Sequence, residues 1–314
     1  MRKKFVPRKA IFVLGGIIVV TTLTCAFTYR LGGFRIHPCD KIFNFQSHIS
    51  QLHLLDNVSG RFETDGENAS DTYYNEKYWE WQKQMNEFGG TFKGEIILAS
   101  MERNSGNIVI LEFGSSGGFI IEFIRQNVEA STAIGVEINP AARDHSRKRF
   151  PDVGVVSRTS SIPSASVDFV YTTSVLEHVD CPVCELREFR RVLKPTGELL
   201  VMVRGEGVSR EQDTYTANDI NNHLYTWTAL LMGNAINAAG LHVCGCFSDW
   251  SGWAHTVLPA YLASKRQTCL QFQDEGRKLG SLNIRCMAVQ PENKAQCSSV
   301  SQRLQRTLAC RYLE

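Results

Sequence analysis

Between residues 108 and 289 the chain alternates two textures. Short runs that are apolar almost throughout recur at Ile108–Phe113, Ala133–Ile138, Val153–Val156, Val167–Thr172, Glu198–Val203, His242–Phe247 and Leu282–Val289. Each has the length of a strand, and continuous apolarity, rather than alternation, marks a strand covered on both faces. Between the runs, apolar residues return at helical spacing: Ile120, Ile121, Phe123 and Ile124, then Leu186, Phe189, Val192 and Leu193. The punctuation agrees. Asn139-Pro140 is a cap followed by proline at the first helical position. Pro195 and Gly197 stop the helix through Leu193, and Gly240 ends one running from about Thr226 to Ala239. Strands and helices in alternation predict an α/β fold, a Rossmann-like, doubly wound, mostly parallel sheet of seven strands.

Upstream the pattern changes. Residues 10–29, AIFVLGGIIVVTTLTCAFTY, carry no charge over twenty positions, long enough for a helix to span a bilayer. Arg2, Lys3, Lys4, Arg8 and Lys9 precede the run, and only Arg30 and Arg35 follow it closely. That asymmetry predicts a cytosolic basic tail over 1–9, a transmembrane helix over 10–29 and translocation of the rest. The run is not followed by a small-x-small cleavage site, which favours a signal anchor over a removed signal peptide. The alternative, a transit peptide, draws on the lack of acidic residues in 1–39. Residues 30–70 read as a stem carrying sequons at Asn57 and Asn68. From 71 to about 100 the chain turns helical and aromatic, with Tyr73, Tyr74, Tyr78, Trp79 and Trp81. Such a helix packs on a domain or covers a pocket. The expected organisation is a domain over 71–290 and a C-terminal tail over 291–314. Residues 10–29 would hold the protein in the membrane as a single pass, with the domain in the lumen of the Golgi or endoplasmic reticulum.

Charge sharpens this picture. The net charge of +2 hides the basic cluster: five of the 34 basic residues lie in the first nine positions, leaving 29 against 32 acidic residues, or −3. The folded part thus lacks the basic footprint of a nucleic-acid binder. Of ten cysteines, Cys25 lies in the apolar run and nine follow. Cys181-Pro-Val-Cys184 with Cys244-Gly-Cys246 raises the question of zinc, but the second spacing suits a zinc knuckle poorly. Buried thiols or disulfides are the better reading, with no metal expected. The cysteines from Cys269 to Cys310 are candidates for bridges that tie down the C-terminal tail. An odd count in an oxidising lumen would leave one cysteine free or bridging to another chain.

The first apolar run enters Gly114-Ser-Ser-Gly-Gly118, a turn at the strand end where such sheets hold ligands. A dinucleotide fingerprint starting at Gly114 requires glycine where the chain has Ser116 and Phe119, and no Gly-Lys-Ser/Thr follows for a phosphate loop. Glu112-x-Gly114-x-Ser116-x-Gly118 instead resembles the acidic-x-Gly-x-Gly-x-Gly motif of class I S-adenosylmethionine-dependent methyltransferases. Asp168-Phe-Val-Tyr-Thr-Thr-Ser-Val-Leu-Glu-His-Val179 resembles a signature of the type 11 group, which includes ubiquinone and menaquinone biosynthesis enzymes. The segment from Arg187 through Lys194-Pro-Thr-Gly-Glu-Leu199 resembles that group's helix–turn–strand, and the resemblance spans roughly residues 75–290. It implies S-adenosylmethionine as cofactor and an antiparallel last strand. It also implies a cradle made of Glu112, Gly114, Ser116 and Gly118, with Glu137 on both ribose hydroxyls and Ile138 beside it. Ser160 and Ser161 would meet the adenine, and Ser174 would follow the fourth strand. Two departures stand out. Ser116 replaces a glycine that lets backbone approach the ligand closely. Arg158 stands near a position where the family often carries an acid for the adenine amino group, which leaves that contact to backbone or to Ser160 and Ser161.

Methyl transfer from a sulfonium is an in-line displacement governed by positioning. A hydroxyl acceptor must also lose its proton, and a histidine of near-neutral pKa is the usual base. The candidates are His178, just past the fourth strand, and His223, in a polar segment after the fifth. Structural roles compete for both. Glu177 would orient its loop, and Asp219 could orient His223. Tyr225, Trp227 and Trp81 would form a platform for a sugar ring or simply pack a lid helix. The function expected is O-methylation of a small-molecule or glycan acceptor. A membrane-associated lipid or quinone methyltransferase facing cytosol or matrix is one alternative, and a non-catalytic scaffold on the same fold is another.

Overall fold

A computed structural model describes residues 10–14, 17–21, 79–80, 90, 92–102, 106–129, 131–205, 215, 222–250 and 265–310. The chain divides into two units, Met1–Arg61 and Phe62–Glu314. In the first, strands β1 (Ala10–Leu14) and β2 (Ile17–Thr21) pair antiparallel, Leu14 opposite Ile17. Where a helix was expected over 10–29, the described residues 10–14 and 17–21 are therefore paired strands. The residues are compatible with the change: the second arm, Ile-Ile-Val-Val-Thr, is β-branched throughout, the first contributes Ile11, Phe12 and Val13, and Gly15-Gly16 in the sequence between them is a two-residue hairpin signal. Among the described residues no helix is long and apolar enough to cross a membrane. The stem and both sequons lie outside the described residues.

In the second unit the predicted alternation is present. Helix α1 covers residues 92–100. Strand β3 (Val109–Phe113) leads to α2 (Phe119–Asn127), β4 (Thr132–Val136) to α3 (Pro140–Arg149), and β5 (Gly154–Val156) to a single 3-10 turn, Thr159–Ser161. Then come β6 (Val167–Thr173), α4 (Pro182–Val192), β7 (Leu193–Arg204), α5 (Ala229–Ala238), β8 (His242–Trp250), α6 (Lys265–Leu279), β9 (Leu282–Val289) and α7 (Cys297–Leu308). The sheet order is β5-β4-β3-β6-β7-β9-β8. The five strands from β5 to β7 run parallel, and β9 is antiparallel to both β7 and β8. The last strand in sequence is thus the antiparallel one, as the resemblance implied. The order reverses at β3, so the glycine turn and the end of β6 lie together at the carboxyl edge.

Each sheet face has its own core, which is why the strands are apolar throughout. Leu111, Val170, Leu199 and Val201 face Leu186, Phe189, Met232 and Ile236 of α4 and α5. Ile110, Phe169, Tyr171 and Leu200 face Ile96, Ile97, Ile121, Val300 and Leu304 of α1, α2 and α7. Fully burying one such side chain contributes about 1.5–3 kcal/mol. Local signals fix the helix ends. The Asn139 side chain accepts from Ala141 N and Ala142 N at 2.9 and 3.2 Å, and Thr228 Oγ1 from Leu231 N at 3.2 Å.

Residues 291–314, expected as a tail, are largely part of this packing. Arg303 of α7 donates twice through Nη2 to Glu198 of β7, at 2.7 Å to each carboxylate oxygen, and through Nε to Ser100 O at 3.0 Å. Four disulfides join Cys181–Cys184, Cys244–Cys297, Cys246–Cys286 and Cys269–Cys310. Three of them converge on the β8–β9–α7 corner and the end of α6.

Candidate functional site

The site is built from the turn after β3. Gly114 N and Ser115 N both donate to Val136 O at the end of β4, at 2.8 and 3.0 Å, and Gly118 N donates to Ser115 O at 2.8 Å. Gly114 and Gly118 have φ of +78° and +82°. A Cβ at Gly114 would run into Val175, and one at Gly118 into Ser146. Two glycines of the motif are therefore required by conformation and by space. Ser116 lies between them with φ of +47°, the left-handed region. The structure thus gives the family's preference for glycine there a backbone reason, beyond the close approach expected from sequence.

Glu137, just past β4, ties the turn to the second strand. Its Oε2 accepts from Ser116 N at 2.7 Å and its Oε1 from Asn139 N at 2.8 Å. Burial pushes this carboxyl up, while those two amides and the Arg143 charge hold it down. A carboxylate has about four lone-pair sites, and with the Ile138 amide also acting on it acceptor capacity is left for a hydroxyl donor. Ile138 beside it is 51% exposed, an apolar surface next to a carboxylate. Arg143 Nη1 donates to the carbonyls of both residues. Ser160 and Ser161 are exposed on the turn after β5, with Arg158 exposed at its start. Glu137 N donates to Val156 O at 3.0 Å, so that turn and Glu137 leave the sheet on the same edge.

Glu112 is placed differently from a ligand-facing acid. It is 1% exposed, and its Oε2 accepts from Ile121 N at 3.1 Å, in the first turn of α2. A carboxyl here meets the positive end of the helix dipole. Burial nevertheless pushes it up to about 8, against the pull of Tyr171, Lys93 and the Ile121 amide. Glu112 positions the helix start beneath the turn.

The loop after β6 supplies the second half. Ser174 is exposed, has φ of +56°, and donates its N–H to Met202 O at 2.8 Å. Glu177 is fully buried, its Oε1 accepting from Arg204 N at 3.2 Å, and burial pushes it up to about 7. Its backbone carbonyl accepts from Leu224 N and Tyr225 N at 2.8 and 3.1 Å, and Tyr225 OH donates to Asp180 O at 2.8 Å. These bonds dock the 222–227 segment on the β6 loop and bring His178 and His223 together, ring centroids 4.6 Å apart. The two histidines, weighed separately in the sequence, form one site. Of the aromatic trio, Trp227 is 7% exposed and belongs to the core, while Tyr225 is 38% exposed and stacks on it. Trp81 and Asp219 lie outside the described residues.

Lys93 escaped the sequence reading. Its amine is buried, which lowers its pKa, while Glu177 and Glu112 oppose that shift. The signal was present: Lys93, Ile96, Ile97 and Ser100 share one helical face, and a lysine on a buried stripe needs carboxylates nearby.

With this geometry in place, comparison with known proteins finds a family model that matches part of the chain. Residues 111–201 match the model for a methyltransferase domain. That span forms a methyltransferase domain. It runs from β3 into β7 and so contains the turn, Glu137 and the Glu177-His178 loop, while His223 and Lys93 lie outside it. Methyltransferases of this kind use S-adenosylmethionine as methyl donor. No curated protein matches the chain by sequence. Among solved structures, a Haloferax volcanii protein in complex with the Trm112 methyltransferase activator is 18% identical with TM-score 0.52, covering 68% of this chain and 98% of that one. A SAM-dependent methyltransferase from Aquifex aeolicus is 16% identical with TM-score 0.45, over 68% of this chain and 97% of that one. Phosphoethanolamine N-methyltransferase 2 of Haemonchus contortus is 14% identical with TM-score 0.48, over 67% and 57%.

Proposed function

We propose that the methyltransferase domain transfers a methyl group from S-adenosylmethionine to a hydroxyl of a glycan or small metabolite. The observation that carries the cofactor half is Glu137. It braces the glycine turn through Ser116, retains acceptor capacity, and stands beside the exposed Ile138. A ribose diol on the carboxylate with the adenine against Ile138 uses both features. Ser160 and Ser161 lie beyond the next strand for the rest of the base, and Ser174 with the Gly114–Gly118 turn borders the amino-acid tail. The protein's contribution to the chemistry is to hold acceptor oxygen, methyl carbon and sulfur in line. His178 and His223 are the groups that activate the acceptor hydroxyl.

Calorimetry with S-adenosylmethionine and its demethylated product tests this. Binding should be measurable for the native protein, and Glu137→Ala should weaken it at least about tenfold, the worth of a charge-assisted hydrogen bond or more. No heat of binding at millimolar ligand, or unchanged affinity in a folded Glu137→Ala, would leave a scaffold without a cofactor.

The setting we propose is a lumen. Four disulfides in one domain favour an oxidising compartment over cytosol or matrix, in line with the basic N-terminus and the sequons. Membrane attachment through residues 10–29 belongs to the same proposal. An open two-stranded hairpin cannot satisfy its edges in hydrocarbon, so in a bilayer the uncharged run would become helical.

A further inference from the structure

The Glu177 carboxylate has an oxygen that the proposed methyl transfer does not use. Its Oε1 takes the Arg204 amide, but its Oε2 is buried without a hydrogen-bond partner. A buried carboxylate oxygen left unpaired is costly and calls for a cation or a donor. Around it, Glu177, His178 and His223 each offer one donor atom, all within 4.8 Å of one another. Donors sharing one first-row ion stand roughly 3–4 Å apart, so side-chain rotations of under about an ångström close the set.

We propose that Glu177, His178 and His223 form a binding site for one divalent transition-metal ion. Two imidazoles and a carboxylate are a borderline donor set, suited to zinc, cobalt, iron or manganese rather than to magnesium or calcium, which prefer oxygen alone. No metal-ligand spacing marks this set along the chain, because His223 stands 45 residues after His178 and joins it only when the 222–227 segment docks on the Glu177 carbonyl. The fixed cations nearby are compatible. Arg204 meets Glu177 through its backbone amide at Oε1, and Lys93 sits where burial already disfavours its charge.

The site rests on the proposed hydroxyl acceptor for its role. With three protein ligands, an ion keeps open positions, and a hydroxyl bound there becomes acidic enough to lose its proton to water near neutral pH. The alkoxide oxygen then attacks the methyl carbon. The O–CH3 bond forms as the CH3–S bond breaks, and the electron pair returns sulfur to a neutral thioether.

The test does not depend on turnover. Untagged full-length protein is stripped with a chelator, reconstituted with cobalt(II), and read by metal content and visible absorption. The expected result is one equivalent of cobalt with d–d bands. Affinity should fall at least about tenfold in His223→Ala and in Glu177→Gln, each checked for folding by circular dichroism. His223 lies on a surface segment, so its variant decides the matter if Glu177→Gln fails to fold. No bound cobalt in the native protein, or undiminished affinity in either folded variant, would overturn the site. Calorimetry with S-adenosylmethionine on the same samples separates the two proposals. Cofactor binding without cobalt overturns the metal site alone, and cobalt binding without cofactor overturns the transferase reading while the site stands.

Discussion

Ser116 and Glu112 show how single residues carry the cradle in ways their motif positions do not announce. Ser116 accepts a left-handed backbone that costs an L-residue roughly 1–2 kcal/mol, and its amide is held by Glu137 in return. Glu112 is the motif's acid, yet it faces the start of α2 inside the domain. Its carboxyl titrates at about 8 when folded, against 4.5 ordinarily, because burial disfavours its charge. Between those values the native state keeps a proton that the unfolded chain has lost. The stability associated with the neutral acid is therefore complete below the unfolded value and is lost as pH rises through the folded one. Urea denaturation from pH 5 to 8.5 should show native stability falling relative to Glu112→Gln, which lacks the titration. Parallel curves for the two proteins would show that Glu112 is charged at all these pH values.

At the scale of elements, α7 turns from an appendage into a wall of the second core. Val300 and Leu304 enter the layer with Ile96, Ile97 and Ile121, and Arg303 reaches Glu198 in the middle of the sheet. Both partners of that pair are buried. Removing one leaves a carboxylate that burial already pushes upward, so Arg303→Met should cost about 3 kcal/mol in chemical denaturation. Adding Glu198→Gln should recover part of the loss, since the double variant leaves no uncompensated charge. A purely additive second loss would deny the pair. The 222–227 segment works in the opposite direction: it is a short surface piece with few apolar anchors, yet three hydrogen bonds place His223 beside His178.

Over the whole molecule, the disulfides add covalent ties to a C-terminal part that β9 already joins to the sheet through β7 and that α7 packs against the second core. Cys244–Cys297 and Cys269–Cys310 span 53 and 41 residues. On the chain-entropy model, loops of that size stabilise the fold by about 4 kcal/mol each. The Cys269→Ala/Cys310→Ala double variant should therefore lose about 2–4 kcal/mol. Protein from the secretory pathway should move faster on non-reducing gels and be sensitive to endoglycosidase. Reduced thiols in freshly isolated protein together with unoccupied Asn57 and Asn68 would place the domain elsewhere.

The alternation of strand and helix, the sheet's class and the glycine turn after the first strand were legible in the chain. Each is a local matter: apolar runs, caps and turn residues act on neighbours a few positions away. The pairing of Glu137 with Ser116 was half legible, since the family resemblance pointed to the acid but not to the amide it holds. Residues 10–29 show the limit of a local pattern, because an uncharged β-branched run suits a bilayer helix or a hairpin, and the surroundings choose. Only the tertiary structure turned Glu112 inward, set Lys93 against two carboxylates and brought His223 to His178. Those outcomes depend on which buried polar groups find partners when distant segments meet, and no periodicity in the sequence encodes that meeting.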